Sequence, residues 1–319
     1  MSSPEHRPLP LIVIVGPTAV GKTELSIRLA ECLDGEIVSA DSRLFYRGMD
    51  IGTAKPTAME RARVPHHLID VADPDETWSL PVFQKAAAEA LTEIHRRGRL
   101  PFLVGGTGQY VHAVTHAWTP PSVVPDTRLR AVLDKLNRLN GYAWLHARLQ
   151  LIDPVSAANI DPRNTRRTIR ALEIIFSTGK PASEQRGRGE SPYRMLSIGL
   201  TRPRPELYAR IDARIEAMFA AGFLDEVCSL LAKGYSPHLP TMSAIGYREC
   251  VEVIQGGLQV EEAIRRMKRS TRVFVRRQAN WFRIDDPAIR WFEAGRTSRD
   301  EIEAFIRSFL RADKLQHAE

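Results

Sequence analysis

The segment Gly16–Thr23 has the residue types and the spacing of a phosphate-binding loop. It is GPTAVGKT, which matches G-x-x-x-x-G-K-[ST], and it follows the apolar run Leu11–Val15. The glycines let backbone N–H groups turn towards a phosphate chain, and the following helix adds its positive N-terminal end. Lys22 supplies a mobile charge, and the Thr23 hydroxyl can bind Mg²⁺. A glycine-rich turn with an incidental lysine is the alternative. The predicted diphosphate-binding residues are Gly16, Pro17, Thr18, Ala19, Val20, Gly21, Lys22 and Thr23.

A carboxylate follows the second predicted strand. Residues Glu36–Ala40 form a short apolar segment that ends at Asp41. Ligands of open α/β sheets bind outside the carboxyl ends of the strands, so Asp41 is expected to face the phosphate loop. A capping or turn aspartate is the alternative interpretation, because Asp favours such positions. The loop Arg43–Pro56 is expected to be flexible and to contact a ligand.

The strand predicted over Leu100–Val104 ends in glycines and a threonine instead of a carboxylate. It continues into GGTG at Gly105–Gly108. P-loop proteins that hydrolyse nucleotides usually have an aspartate here, which orients Mg²⁺ or water. The glycines therefore weaken an interpretation as a nucleotide hydrolase, although Asp70 could supply a carboxylate from another loop.

The elements around these residues predict an α/β fold. We expect a P-loop NTPase-like core with a parallel sheet flanked by helices, plus an inserted all-helical domain. Further strands are predicted over His67–Val71, Arg194–Leu200 and Ile289–Phe292. Helices of the core are predicted over Glu24–Leu33, Ser79–Arg97, Pro205–Ala221, Leu224–Lys233, Glu261–Arg283 and Ser298–Arg311.

The middle of the chain departs from the α/β pattern. The departure begins at three prolines, Pro120, Pro121 and Pro125. Three helical segments follow at Asp126–Leu139, Tyr142–Leu151 and Asn164–Ser177. Residues Gly179–Ser191 are poor in apolar side chains and predict a mobile loop. We therefore predict a core over 9–117 and 193–313, including the C-terminal helices, and a helical insertion over 118–192.

Size, charge and cysteine content restrict the class of protein. The chain has 319 residues, a net charge of +7 and three cysteines, which are far apart in sequence and form no CxxC pair. Such cysteines are typical of a reduced compartment without structural zinc, so we expect a cytoplasmic protein. We see no signal peptide in the polar first residues and no stretch able to span a bilayer, so we expect no membrane association. A monomer is the default expectation. The positive charge is compatible with a polyanionic partner.

The helix predicted over Glu261–Arg283 is strongly basic on one side. Arginines occur at spacings of four, three and four, which places them on one helix face. They are Arg265, Arg269, Arg272 and Arg276. A solvated amphipathic helix is the simple interpretation, but aligned arginines without matching carboxylates favour contacts to phosphates.

These motifs together resemble the tRNA dimethylallyltransferases, the isopentenyl transferases of tRNA, of bacterial type. The similarity extends over residues 9–310, and the YRGMDIGTAKP run is its most specific element. The motifs are GPTAVGKT at 16–23, SADSR at 39–43, YRGMDIGTAKP at 46–56, VGGTGQY at 104–110, RALE at 170–173, IGYRE at 245–249 and RQANWFR at 277–283.

The resemblance implies transfer of a dimethylallyl group from dimethylallyl diphosphate to N6 of the adenosine directly 3′ of the anticodon. Bacterial members modify tRNAs that read codons beginning with U. The expected partners are dimethylallyl diphosphate and the tRNA anticodon stem-loop, and the expected cofactor is Mg²⁺, held by Thr23. A carboxylate must accept the proton of a weakly nucleophilic adenine amine, and Asp41 is its candidate. The predicted catalytic residues are Asp41, Thr107, Lys22 and Thr18.

The position-by-position match also implies an RNA interface. Arg276 and Arg277 could neutralise either the diphosphate or RNA phosphates. The tRNA-facing candidates are Asp41, Ser42, Arg43, Leu44, Thr107, Arg130, Arg166, Arg167, Arg170, Ser243, Ala244, Ile245, Gly246, Tyr247 and Arg248. The family usually has Gln where this chain has Leu44, Leu where it has Gln109, and Lys where it has Arg276.

Three other functions share part of this pattern. A small-molecule kinase also combines a phosphate loop with an aspartate after the second strand, but the long insertion and the aligned arginines argue against it. An adenylate isopentenyltransferase would use the same donor and modify free AMP. An RNA-binding protein that uses a nucleotide as a switch would not need Asp41 as a base.

Overall fold

The computed structural model describes residues 8–121, 123–185 and 187–315. The polar residues 1–7, on which the expectation of no signal peptide rests, lie outside this part. The chain divides into two compact units: residues up to 115 together with those from 191 onwards, and residues 116–190. We call them the core unit and the inserted unit. The functions expected of the two predicted domains stay predictions.

Eight strands form two sheets in the described part of the chain. Six lie in one sheet of order β3-β2-β4-β1-β7-β8, in which each neighbouring pair is parallel. The parallel sheet with flanking helices confirms the predicted α/β class. The strands are β1 Leu9–Val15, β2 Gly35–Ser39, β3 His66–His67, β4 Leu100–Val104, β5 Trp118–Thr119, β6 Gly187–Arg188, β7 Tyr193–Thr201 and β8 Ile289–Glu293.

The helices of the described residues include four short ones that the sequence analysis did not predict, namely α2, α4, α7 and α11. The helices are α1 Lys22–Cys32, α2 Ala58–Arg63, α3 Leu80–Arg96, α4 Gly108–Thr115, α5 Thr127–Asn140, α6 Tyr142–Ile152, α7 Pro154–Ala158, α8 Thr165–Thr178, α9 Arg204–Ala220, α10 Phe223–Ala232, α11 Tyr247–Ile254, α12 Val260–Gln278 and α13 Arg299–Leu315. In this part of the chain, no helix combines the length and the apolar character that crossing a bilayer requires.

The buried centre of the core unit explains why the central strands could be predicted. Residues 11–15 of β1 and all residues of β2 and β4 are buried. A strand covered by helices on both faces has a continuous apolar sequence instead of an alternating one. Phe83 of α3 and Ile27 of α1 are among the buried side chains that cover this sheet.

The third predicted strand is shorter than expected. It was predicted over His67–Val71, but β3 contains only His66 and His67. Leu68 and Asp70 have φ angles of 61° and 56°, which no extended strand can accommodate. The prediction was therefore wrong beyond His67.

The basic helix ends earlier than expected. It was predicted to extend to Arg283, but α12 ends at Gln278. The N–H groups of Trp281 and Phe282 both bond to the carbonyl of Gln278, so the chain continues in tight turns. Trp281 and Phe282 continue the apolar spacing of the helix in the sequence, but in the structure they belong to the turn that follows α12.

The inserted unit is mainly but not entirely helical. Its strands β5 and β6 pair antiparallel, with Trp118 opposite Arg188, so the prediction of an all-helical insertion was wrong in this detail. Helices α5, α6 and α8 enclose a separate apolar core that includes Leu133, Leu149 and Leu172. Residues 179–191, predicted as a mobile loop, include a short 3₁₀ helix at Ala182–Gln185 and strand β6.

Candidate active site

Three loops begin at the same edge of the sheet because the central strands are parallel and in register. Val104 of β4 lies opposite Ile14 of β1 on one side and Ser39 of β2 on the other. The phosphate loop, Asp41 and Thr107 follow these strands within a few residues. The structure thus brings the predicted diphosphate-binding loop to the same edge of the sheet as Asp41 and Thr107.

The phosphate loop closes around the side chain of Lys22. The ammonium Nζ donates to the carbonyl oxygens of Gly16 and Pro17, each at 2.9 Å. Gly16 has a φ of 144°, and a Cβ there would lie 2.6 Å from the carbonyl oxygen of Leu200, so only glycine fits. Helix α1 begins at Lys22, and the N–H groups of its first turn have no acceptor within the helix. These groups are suited to bind an anion.

Electrostatics connects Lys22 with Asp41 and with an arginine that the sequence analysis did not identify. Burial lowers the pKa of Lys22 to about 8, while the charge of Asp41 raises it and Arg214 lowers it further. Burial also lowers the pKa of Arg214, against the opposing effect of Asp41. Asp41 therefore lies close enough to act on both cations. The carboxylate and the phosphate loop thus act on each other electrostatically, which is compatible with the predicted shared site.

Asp41 also has the turn contact that the alternative interpretation required. Its Oδ1 accepts the N–H of Arg43 at 3.0 Å, and its backbone carbonyl accepts the N–H of Leu44 at 3.1 Å. Within the described residues, Oδ2 accepts no hydrogen bond. One oxygen thus fixes the side chain while the other is available to a substrate.

Gln278 is a buried link between two of the loops, and the sequence analysis missed its role. Its Oε1 accepts the N–H of Thr18 at 2.9 Å, and its Nε2 donates to the carbonyl of Gly106 at 3.0 Å. A Cβ on Gly106 would lie 2.4 Å from Nε2, so the glycine makes room for this contact. The N–H of Thr18 therefore has a protein partner, and the roles of Thr18 in diphosphate binding and catalysis stay predictions. Gln278 stands within RQANWFR, but its partners are too distant in sequence to be inferred.

Further arginines surround the phosphate loop. Arg202 donates from Nε to the carbonyl of Val20, and Arg210 from Nε to that of Ala19, each at 3.0 Å. Arg276 is exposed and lines a groove of about 480 Å³ together with Gly16 and Pro17. This position beside the loop is compatible with its predicted phosphate contact.

Thr107 lies at the start of α4 and is half-buried. Its carbonyl accepts the N–H groups of Tyr110 and Val111 at 2.9 and 3.2 Å. The next residue, Gly108, packs against Trp281, because a Cβ there would lie 2.1 Å from Cγ of the indole.

Ser42, Arg43 and Leu44 are half-buried beside Asp41, so an RNA base could reach them. Arg277 lies in the last turn of α12 and is exposed.

The loop Arg43–Pro56 is anchored, so the expectation of a flexible loop was wrong. The carboxylate of Glu226 on α10 accepts the N–H groups of Asp50, Ile51 and Gly52 at 2.6–3.2 Å. The loop's buried Lys55 donates to the Tyr46 carbonyl and to the Asp50 and Asp70 carboxylates. Tyr46 and Asp50 lie within the loop itself, whereas Glu226 is 174–176 positions away in sequence, so the loop's turn-rich sequence could not reveal the Glu226 anchor.

Part of the segment Ser243–Arg248 is buried, which corrects its assignment as a continuous tRNA contact. Tyr247 is fully buried, and its hydroxyl donates to Glu226 Oε1 at 2.6 Å. Ala244 is 3% exposed and Gly246 is buried, its N–H donating to a glutamate. Only Ser243 and Arg248 are exposed, and Ile245 is half-buried.

Two predicted RNA contacts of the inserted unit have a structural partner. Arg130 and Arg170 each pair with Glu173, at 2.8 and 2.6 Å, and that carboxylate is fully buried. The side chains remain 42% and 32% exposed, so the pairing orients them without hiding them. Arg166 and Arg167 are exposed on α8 and are compatible with the prediction.

The residues present fit a single magnesium ion bound largely by the substrate. Thr23 is exposed in the first turn of α1, and Mg²⁺ commonly takes one or two protein oxygens together with phosphates and water. The described residues contain no cluster of three or more histidine, cysteine or acidic side chains that could hold a metal by themselves. Both carboxylate oxygens of Asp70 are paired, with Lys55 and Arg61, so it is not a free metal ligand.

Comparison with known proteins identifies the family. The family model described as IPP transferase matches residues 44–285. A tRNA dimethylallyltransferase of Roseiflexus sp. (strain RS-1) is 59% identical over 275 residues, which cover 86% of this chain and 90% of that protein. The chain belongs to the IPP transferase family. The predicted enzyme class, a prenyl transferase that modifies tRNA, is thereby confirmed.

Solved structures support the family assignment along nearly the whole chain. The full-length tRNA isopentenylpyrophosphate transferase of Bacillus halodurans is 45% identical with a TM-score of 0.72, over 97% of this chain and 99% of that one. A eukaryotic dimethylallyltransferase acting on tRNA has a TM-score of 0.77 at 27% identity, over 98% and 80% of the two chains. A relative from Symbiobacterium thermophilum is 48% identical over 306 residues, which cover 94% of this chain and 95% of the relative.

Proposed function

We propose that this IPP transferase family member transfers a dimethylallyl group from dimethylallyl diphosphate to N6 of the adenosine directly 3′ of the tRNA anticodon, in tRNAs that read codons beginning with U. One observation carries the proposal for this chain. The register of β1, β2 and β4 brings Asp41 and the phosphate-loop Lys22 to one edge of the sheet, where the charge of Asp41 also raises the pKa of Lys22 against the effect of burial.

On the donor side, the allylic C–O bond breaks and the diphosphate leaves with the electron pair. Negative charge then develops on the leaving oxygen. Lys22 and the first-turn N–H groups of α1 stabilise that charge. Mg²⁺ held by Thr23 would add positive charge at the same diphosphate. Arg214 increases the positive potential from beside Asp41.

On the acceptor side, N6 of adenine forms the C–N bond and loses one proton. Its lone pair is delocalised into the ring, so a nearby base is needed as the bond forms. Oδ2 of Asp41 is the proposed acceptor, because Oδ1 is fixed by the turn contact to Arg43. The half-buried Thr107 at the neighbouring strand end could hydrogen-bond the same base. The adenine must leave its stack to reach this edge.

The first experiment compares two acceptors with labelled dimethylallyl diphosphate and Mg²⁺. One is an anticodon stem-loop with adenosines around the target, and the other is free AMP. We expect label in the stem-loop alone. Label in AMP would assign the chain to the adenylate isopentenyltransferases, and consumption of ATP without label in either would favour a kinase.

Two variants test the division of roles. Asp41→Asn keeps the turn acceptor and removes the base, so we expect near-complete loss of transfer with donor binding retained. Lys22→Ala is expected to weaken donor binding as well as transfer. Asp300→Asn and Lys85→Ala are matched controls, because both residues are strongly exposed on other helices. Unchanged turnover in Asp41→Asn would remove Asp41 as the base.

A further inference from the structure

A second groove lies along the basic side of α12, between this helix and α9. Its volume is about 460 Å³, and among the described residues that line it Tyr208 of α9 alone is not a cation. The cations are Arg265, Lys268, Arg269, Arg272 and Arg276. From the first to the last of them the helix rises by about 16 Å.

Carboxylates neutralise the groove only in part, which corrects the expectation of arginines without acidic partners. Glu262 pairs with Arg265 at 2.8 Å, and Asp212 pairs with Arg272 at 2.5 Å. Lys268 also has a carboxylate partner, Glu216, at 2.5 Å. The groove therefore combines five cations with three carboxylates.

Two cations of the groove have no acidic partner. Among the described residues, neither Arg269 nor Arg276 forms an ion pair, and both are exposed. Guanidinium groups match phosphate oxygens in geometry, and two unpaired ones on one face favour a ligand with more than one phosphate. Nε of Arg272 is also buried without a hydrogen-bond partner in the groove wall.

The basic groove adjoins the site already described. Tyr208 and Arg276 line both this groove and the neighbouring one that contains Gly16 and Pro17 of the phosphate loop. A chain of phosphates could therefore extend from the catalytic edge along α12. A small diphosphate donor is too short to use a groove of this length in addition to the phosphate loop.

We propose that this basic groove binds the sugar–phosphate backbone of the tRNA that flanks the target nucleotide. Arg265, Lys268, Arg269 and Arg272 then belong to the RNA interface, which the motif match had placed elsewhere. The proposal rests on the proposed function, because it takes the tRNA as the polyanion. The contacts are to phosphates, so they contribute affinity and salt dependence without reading the base sequence.

The test measures the dissociation constant of an anticodon stem-loop and of a full-length tRNA transcript at several salt concentrations. The variants are Arg269→Gln and the double variant Arg265→Gln with Arg269→Gln. Each phosphate contact contributes about 0.7–0.9 to the slope of log affinity against log salt. We expect Arg269→Gln to reduce the slope by about that amount for at least one of the RNAs. From 50 to 200 mM salt, wild-type affinity should then fall about threefold more than that of the variant.

Arg266→Gln is the matched control, because Arg266 lies on the same helix outside the groove and pairs with Glu252 and Glu262. It removes the same charge, so it measures the effect of net charge together with the loss of ion pairs outside the groove. Arg269→Lys keeps a cation and should restore most of the slope, which would attribute the loss in Arg269→Gln to the missing charge. The donor KM at saturating RNA should be unchanged in all of them.

Two results would overturn the proposal. Equal slopes for Arg269→Gln and Arg266→Gln would show that the basic groove makes no phosphate contact to RNA. A raised donor KM with unchanged RNA slopes would assign the groove to the donor. Binding is measured without turnover, so a failure of prenyl transfer itself would leave the slopes readable and would point to the proposed function instead.

Discussion

The lowered pKa of Lys22 predicts that binding of dimethylallyl diphosphate depends on pH in the mildly alkaline range. A pKa of about 8 means that half of the ammonium groups of the free enzyme are neutral at that pH. Near pH 7 about nine-tenths are charged, and near pH 9 about one-tenth. If only the charged form binds the diphosphate well, affinity falls about tenfold over this range, which corresponds to about 1.4 kcal/mol.

The diphosphate and the ammonium also exchange protons through linkage. Bound diphosphate places negative charge beside Lys22 and so raises its pKa, and binding above pH 8 must take up a proton. At pH 8.5 about three-quarters of the free enzyme lacks this proton, so we expect uptake of about 0.75 proton per donor bound. Below pH 7 the uptake from Lys22 should vanish.

Calorimetric titration of the protein with the donor, without tRNA, measures both quantities. Buffers with different ionisation enthalpies give the proton uptake, and Mg²⁺ and ionic strength are held constant. Lys22→Arg is the matched control, since a guanidinium remains charged throughout this range. Its affinity should be flat from pH 7 to 9 apart from ionisation of the donor. A wild-type profile that parallels Lys22→Arg would refute a pKa near 8 for this ammonium.

Three further predictions concern residues that hold the site or the inserted unit in place. Gln278→Ala leaves the Thr18 amide and the Gly106 carbonyl without their partner, so denaturant titration should show a loss of about 1–3 kcal/mol of stability together with weaker donor binding. Glu226→Ala should raise the KM values of the substrates while changing the melting temperature little, because the carboxylate anchors the loop Arg43–Pro56. An equal rise of the KM values in Glu252→Ala would contradict this. Burial opposes ionisation of Asp153, but hydrogen bonds from serines lower its pKa to about 2. The stabilisation by this carboxylate is therefore present above about pH 4 and is lost as the pH falls towards 2. Asp153→Asn should flatten the fall of the melting temperature over that pH range.

The parts of the fold that the sequence predicted are those encoded locally. Strands β1, β2 and β4 are buried on both faces, so each is a short apolar run that stands out in the sequence. The phosphate loop and Asp41 follow such runs, and a parallel sheet places the ends of its strands at one edge. Proximity of the base and the loop therefore follows from topology alone.

The parts that could not be predicted depend on partners far along the chain. Gln278 contacts Thr18 across 260 positions of sequence, and Glu226 contacts Gly52 across 174. No periodicity or motif spacing encodes such pairs. The same reason applies to Arg272, which has no carboxylate partner on its own helix face but pairs with Asp212 on the neighbouring helix. A helical wheel shows which residues share a face but not what that face meets.

Asp41 shows that a turn residue and a catalytic residue need not be competing interpretations. A base is effective only if its orientation is fixed before the substrate arrives. The bond from the Arg43 N–H to Oδ1 provides this orientation at 3.0 Å and leaves Oδ2 for the proton. Asparagine can keep the first contact through its amide oxygen but cannot accept the proton at N. A variant that retains the turn and still loses transfer would therefore separate the two roles, whereas Asp41→Ala would remove both together.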